Sequence, residues 1–480
     1  MKKTHFTYIF LFFCCAGISF VRAQSVDIYL TEDHIFNRNE YSNNIPSSNL
    51  VLGWGGGWRP DEGTTVCLKA KNSNFSNSGQ TLPNNIILFH LVSINGRTPG
   101  SPQLEGNWPN AKTLNTSFQS FFEPFYYGSY AESGPVLMKY TISSDKLESN
   151  AWRSGVYENV LDTNQDYPIL GWRKYLSPSN WAMNIHVPAI IKWIVSQDSY
   201  FKNYSSINEL ATPEDLVFDL SNFQFAHTID AKLQIKAQGN INFIPHGGGA
   251  TSTLPINLVT ASGSGLQTKN LSTSYQNLKT GSFSVVEGNR TQVPLLLKIK
   301  SNDVKQYLYK AGTYTFNVDL NVVGNSGTPN DTKSVAFTIT TSPLNNISVQ
   351  GSQEVNFIFQ NAADYQLGQS KNMANHLLVT NNKPFEIYVK SAASHFTLNG
   401  SPTTIPASII QIENGDGQTG IITRSLGTSP KAIITGASPS LNQNISLKYS
   451  IPAAQAPSLI GQSTGATPYV LNVIYSFTNQ

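Results

Sequence analysis

Residues able to do chemistry are few in this sequence and poorly spaced for it. His34, His90, His246 and His376 are scattered with no metal-ligand spacing. The run HGGG at 246–249 has the composition of an oxyanion loop, but no Gly-x-Ser-x-Gly elbow accompanies it, so it reads as a turn. NGDGQTG at 414–420 carries turn chemistry and lacks the acid pattern of a calcium loop. Cys67 falls in a predicted strand and reads as a small buried hydrophobe rather than a nucleophile. No catalytic residue, metal or cofactor is expected. An enzyme on a β scaffold, a glycoside hydrolase or esterase, is the least favoured class.

Aromatic residues offer more. All seven tryptophans lie before residue 194. The stretch GWGGGWRPDE (53–62) sets Trp54 and Trp58 around three glycines, a density that marks a loop. FQSFFEPFYYGSY (118–130) adds Tyr126 and Tyr127. Exposed rings beside Arg59 and Asp61 would suit a flat apolar partner such as a sugar. The alternative is that the tryptophans fill cores or a domain interface, as most do.

Charge and targeting narrow the classes further. Lys2 and Lys3 precede the apolar run Phe6–Phe20, and Val21-Arg22-Ala23 fits a cleavage site, so residues 1–23 read as a signal peptide. The chain has 32 basic and 29 acidic side chains, and loss of Lys2, Lys3 and Arg22 leaves the two balanced. A neutral chain has no electrostatic footprint for nucleic acid. No later stretch approaches a transmembrane helix, so an integral membrane protein is not expected. Cys67 is the one cysteine after residue 23, so internal disulfides are not expected either.

Short β-branched and aromatic runs separated by Gly, Pro and Asn predict an all-β chain. The single short helix expected is Leu210–Val217 behind an Asn208 cap. A four-part pattern recurs three times in one order. A Lys strand comes first: VCLKAKNSNF (66–75), LQIKAQGNINF (233–243), IYVKSAASHF (387–396). A Pro-led strand follows: LPNNIIL (82–88), LPINLV (254–259), IPASIIQI (405–412). Next is a second Lys strand, with Lys139, Lys298 and Lys448, and last a Gly–Tyr strand with Tyr157, Tyr314 and Tyr469. Those tyrosines are 157 and 155 residues apart. Three tandem immunoglobulin-like β-sandwich domains follow, over 24–187, 188–342 and 343–480. The lysines of the second strand have outward parity and read as solvated, discouraging wrong sheet pairing. An intramolecular isopeptide bond would need a buried Lys beside an acid and an Asn.

After the second Gly–Tyr strand comes an alternating strand (Val335, Phe337, Ile339), then Pro343 and the next domain. After the first comes another (Met183, Ile185, Val187), then Pro188. Proline suits a junction where one strand ends and another begins elsewhere. After the third Gly–Tyr strand, with Tyr469, Leu471, Val473, Tyr475 and Phe477 on one face, only Thr478-Asn479-Gln480 remains. Domain three is therefore expected to lack its closing strand, and those five residues are the candidate edge that accepts one.

A β-sandwich that ends on Gly465…Tyr469-Val-Leu-Asn-Val-Ile-Tyr475 and lacks its last strand resembles a chaperone–usher fimbrial subunit. It is most similar to spore-coat-U-like pilins and the multidomain adhesins that cap such fibres. The resemblance lies in 343–480, where the disulfide common in those pilins is absent. It implies completion by donor-strand complementation, a periplasmic chaperone, an outer-membrane usher and other fimbrial subunits as partners. It also implies passage through the periplasm to the cell surface or fimbria. Domain one would then be the ligand-binding end, for a glycan or another surface receptor. The N-terminal alternation Val26, Ile28, Leu30 reads either as a donor or as domain one's first strand, and the second is favoured. The rival reading is a self-contained carbohydrate-binding surface protein of tandem Ig-like domains.

Overall fold

A computed structural model describes residues 25–53, 66–98, 106–107, 109–124, 132–163, 173–177, 179–462, 465 and 467–479. The chain is all-β, built as three tandem immunoglobulin-like sandwiches, each round its own apolar core. Alternation drives this: VCLKA, AKLQIKA and FEIYVKS each place every second residue inside and the lysines outside.

In the first sandwich, strand Ser25–Tyr29 pairs in parallel with Asn180–Val187, which pairs antiparallel with the Gly–Tyr strand Gly155–Thr163. The second repeats this. Ser199–Tyr204 runs parallel to Asn330–Thr341, which lies antiparallel to Gly312–Gly324. The closing strand in each case lies between a leading strand and the Gly–Tyr strand. Val26, Ile28 and Leu30 are buried in the first core, so the N-terminal alternation serves its own sandwich.

The repeated glycine and tyrosine have physical causes. Gly155 and Gly312 sit at φ 133° and 156°. A Cβ on Gly312 would lie 2.3 Å from the Ile244 carbonyl oxygen. The tyrosines are tied back four residues upstream: the Arg153 N–H donates to Tyr157 Oη (3.2 Å), and Tyr314 Oη donates to the Lys310 carbonyl (3.0 Å). This is the tyrosine-corner arrangement of Ig-like sandwiches.

Several expectations change in detail. The helix placed at Leu210–Val217 is Ile207–Ala211, capped by Ser206 and not Asn208; Leu216–Asp219 is a strand. The Ser206 hydroxyl accepts from the Glu209 N–H, and the Glu209 carboxylate reaches back to the Ser206 N–H at 3.0 Å. That box outweighs the apolar run that follows it. The Pro-led strands each begin as a 3-10 turn, at Asn84–Ile86, Ile256–Leu258 and Ala407–Ile409, before extending. Cys67 is half-exposed rather than buried, because Val66 and Leu68 take the inward parity. Lys298 and Lys448 stay partly exposed beside Asp215 (3.2 Å) and Glu413 (2.8 Å), as solvated strand lysines do.

Replacing Gly312 by alanine is expected to cost about 1–3 kcal/mol, and Tyr314→Phe about 1 kcal/mol. Chemical denaturation of the full chain, followed by the transition of the second sandwich, checks both.

Candidate strand-acceptor groove

The third sandwich departs from the other two in the sheet that carries its last strand. Its Lys strand Phe385–Ser391 lies between Lys431–Ala437 and Val473–Asn479 in a sheet of three strands. The corresponding sheets of the first and second sandwiches have eight and seven. Val473–Asn479 pairs with the Lys strand along one edge. Among the described residues nothing pairs with its other edge.

Side-chain burial shows the same gap. Tyr157 and Leu161 are fully buried in the first sandwich, and Tyr314, Phe316, Val318 and Leu320 are at most 3% exposed in the second. Their counterparts Tyr469, Leu471, Val473, Tyr475 and Phe477 share one face, as the alternation predicts, yet all are only half-buried. The regular strand starts at Val473 rather than Tyr469; ahead of it Val470 makes an isolated bridge to Thr397.

A second segment with no strand partner among the described residues was not foreseen in the sequence. Residues 353–360 occupy the place in the chain order held by Ser25–Tyr29 and Ser199–Tyr204, just before a short capped helix. Val355, Phe357 and Phe359 turn toward the third core and remain half-buried. Ile358, between them, is 60% exposed. The segment forms no strand. Its two counterparts are strands because a closing strand pairs with them in parallel. The signal that could have found it is the repeated cap beyond it. Thr31 with His34, Ser206 with Glu209 and Asn361 with Asp364 form three capping boxes in three different residue pairs. Two edges therefore face the space of one strand, one calling for an antiparallel partner and the other for a parallel one.

Beneath the groove lies a polar chain. His376 is 3% exposed, and its Nε2 lies 2.9 Å from Tyr449 Oη, which lies 2.5 Å from Tyr475 Oη. His376 Nδ1 is buried without a hydrogen-bond partner among the described residues. Burial lowers the His376 pKa and pushes Tyr449 up to about 12. Tyr475 is raised well above its ordinary value, first by burial and then by Tyr449. His227, in the second sandwich, is likewise lowered mainly by burial; its Nδ1–H donates to the Ile229 carbonyl at 2.7 Å.

Of the aromatic-loop candidates, Trp54, Trp58, Arg59, Asp61, Tyr126 and Tyr127 lie outside the described residues. Trp152, Trp181 and Trp193 are buried packing residues. HGGG is a turn of three positive-φ glycines. In NGDGQTG, Asp416 is held by Asn372, whose Nδ2 donates to its carboxylate at 2.8 Å. Among the described residues no His, Cys, Asp or Glu cluster could hold a metal, and no helix is long and apolar enough to cross a membrane.

No family model and no curated protein matches the chain. The solved structures it resembles include chaperone–usher pilins and adhesins. The CooA pilin subunit of enterotoxigenic Escherichia coli matches at 16% identity and TM-score 0.23, over 32% of this chain and 99% of that one. CfaE, the adhesive subunit of CFA/I fimbria from the same organism, matches at 14% identity and TM-score 0.26, over 66% and 98%. The CsuC–CsuE chaperone–tip adhesion subunit complex of Acinetobacter baumannii Csu pili matches at 13% identity and TM-score 0.27, over 58% and 99%. Scores this low leave the groove's own geometry to carry the assignment.

The lowered histidines set a pH dependence. A histidine whose folded pKa lies below its ordinary 6.5 stabilises the fold fully above that value. It loses that contribution as pH falls through the lowered one. The melting temperature is expected to decline between pH 6.5 and 4.5, before the hydrogen-bonded carboxylates titrate. Melting curves of the native chain and His376→Gln across that range check it: the variant should show the shallower decline.

Proposed function

We propose that this protein is an exported fimbrial or cell-surface adhesin subunit whose third sandwich is completed by a strand from another chain, with module boundaries at 187/188 and 342/343. The observation that carries this reading is the two-edged groove between Val473–Asn479 and residues 353–360. Strand addition to an open sheet is an established assembly mode, and pilin donor-strand complementation is its example. The second sandwich shows what a filling strand contributes: Val335, Phe337 and Ile339 of its closing strand are fully buried. Three such side chains are worth about 1.5–3 kcal/mol each. Their sum rivals the whole stability of a module of this size.

During export a periplasmic chaperone and an outer-membrane usher would shield the groove until a neighbouring subunit fills it. Because Val26, Ile28 and Leu30 close on the first sandwich, the described N-terminal strand is not a free donor. A subunit whose described N-terminal strand is held within its own sandwich suits the end of a fibre. The first sandwich would then face outward, and the Trp54–Trp58 loop is its candidate glycan contact.

The test appends the hairpin turn and closing strand, residues 325–341, after Gln480 of the full chain. The third sandwich should gain about 5 kcal/mol or more, and Phe337→Asp in the appended copy should abolish the gain. An already stable third sandwich that ignores the added strand would refute strand exchange and favour a self-contained carbohydrate-binding surface protein. For the ligand end, Trp58→Ala is expected to remove glycan-array binding while leaving the melting curve unchanged.

A further inference from the structure

The two junctions inside the chain are built alike. At the first, the Ser154 N–H donates to the Thr228 carbonyl (2.7 Å), while Thr228 holds the incoming chain through Pro188 O (2.6 Å) and Ile190 N (2.8 Å). At the second, the Ala311 N–H donates to the Asn382 carbonyl (2.9 Å), while Asn382 holds Ser342 O (2.8 Å) and Leu344 N (2.7 Å). Ser154 and Ala311 each stand immediately before the glycine of the Gly–Tyr strand. The held groups lie one and three residues past the closing strand in both cases, since those strands end at Val187 and Thr341.

Three residues before the same glycine, Trp152 and Tyr309 each grip the following sandwich. The Trp152 N–H donates to Asn289 Oδ1 (3.0 Å), and Asn289 Nδ2 returns a bond to the Trp152 carbonyl (2.8 Å). Tyr309 Oη donates to the Pro439 carbonyl (3.0 Å). Each closing strand thus runs directly into a body seated on the end of the sandwich it has completed.

The third sandwich has the same end, and nothing among the described residues covers it. Its helix Ala362–Leu367 packs on the 3-10 turn Ala456–Leu459, as Glu32–Phe36 packs on Ser144–Glu148 and Ile207–Ala211 on Ser301–Tyr307. Between helix and turn lies a cleft of about 620 Å³ lined by Tyr365, Ala453, Leu459 and Gln462. Leu367 and Ile460 stand 78% and 66% exposed beside it. A strand entering the groove antiparallel to Val473–Asn479 would leave it at this end.

We propose that this cleft is a docking surface, distinct from the strand groove, for the body of the next β-sandwich subunit. That partner presents the face which the third sandwich itself presents to the second: an Asn or Thr loop holding its own chain one and three residues past the donor strand. The junction between chains is then a third copy of the junctions within this one, and the fibre is stiff there. This rests on the strand-exchange reading above.

Two extended full chains separate the ideas, both in a Cys67→Ser background. One carries residues 325–341 after Gln480, the strand alone; the other carries 325–480, the strand with a following body. A reporter Gln462→Cys is placed in the first copy only, three residues before Gly465 and in the lining of the cleft, with Leu367→Cys as a second reporter. Thiol-labelling rates should fall about tenfold or more when the body is present, relative to the strand alone. Equal labelling in two chains that both gain thermal stability would overturn the docking surface and leave strand exchange standing. A strand-only chain with no gain in stability would remove both.

Discussion

The constraint on which this protein depends is that a strand inside a sheet needs a neighbour along both edges. A Gly–Tyr strand with a single neighbour leaves a row of backbone donors and acceptors unpaired and half its apolar face wet. In the first two sandwiches the closing strand resolves this and also gives the leading strand its parallel partner. One element thus completes two edges. In the third sandwich no closing strand is found among the described residues, and residues 353–360 form no strand either.

That coupling explains the junctions. The strand that completes one sandwich continues within three residues into the body of the next, and a Thr or Asn side chain clamps the turn. Packing, backbone satisfaction and relative placement of modules are therefore set together. Asn289 shows how firmly: it is fully buried, adopts φ 56°, and spends its amide on carbonyls of Trp152 and His227. Removing such a partner would strand buried polar groups on both sides of the junction.

Much of this was legible in the sequence because it is written in parity. Lysines on alternating strands, a glycine two residues before a buried tyrosine, and proline after an alternating run each have a local cause visible in residue type. The leading segment of the third sandwich was not legible. Val355, Phe357 and Phe359 alternate, but only three residues carry the signal, and its meaning depends on a parallel partner remote in sequence. The capping boxes escaped for a different reason. Their function is conserved across the repeats while their identities change from Thr–His to Ser–Glu to Asn–Asp. The buried histidines gave no sequence signal, since nothing in their neighbours' types announces burial.

Under the proposed strand exchange, the groove also has to be kept from closing on the wrong strand. Half-buried Tyr469, Leu471 and Phe477 offer apolar surface to any alternating segment, including those of a second copy. The parallel edge at 353–360 narrows the choice. A strand must satisfy an antiparallel neighbour on one side and a parallel neighbour on the other, so a slip of one residue turns its apolar face outward against both. Two edges in register discriminate more sharply than one. Under the proposed strand exchange, the correct strand would supply packing, ladder and direction together, and an incorrect one would forfeit all three.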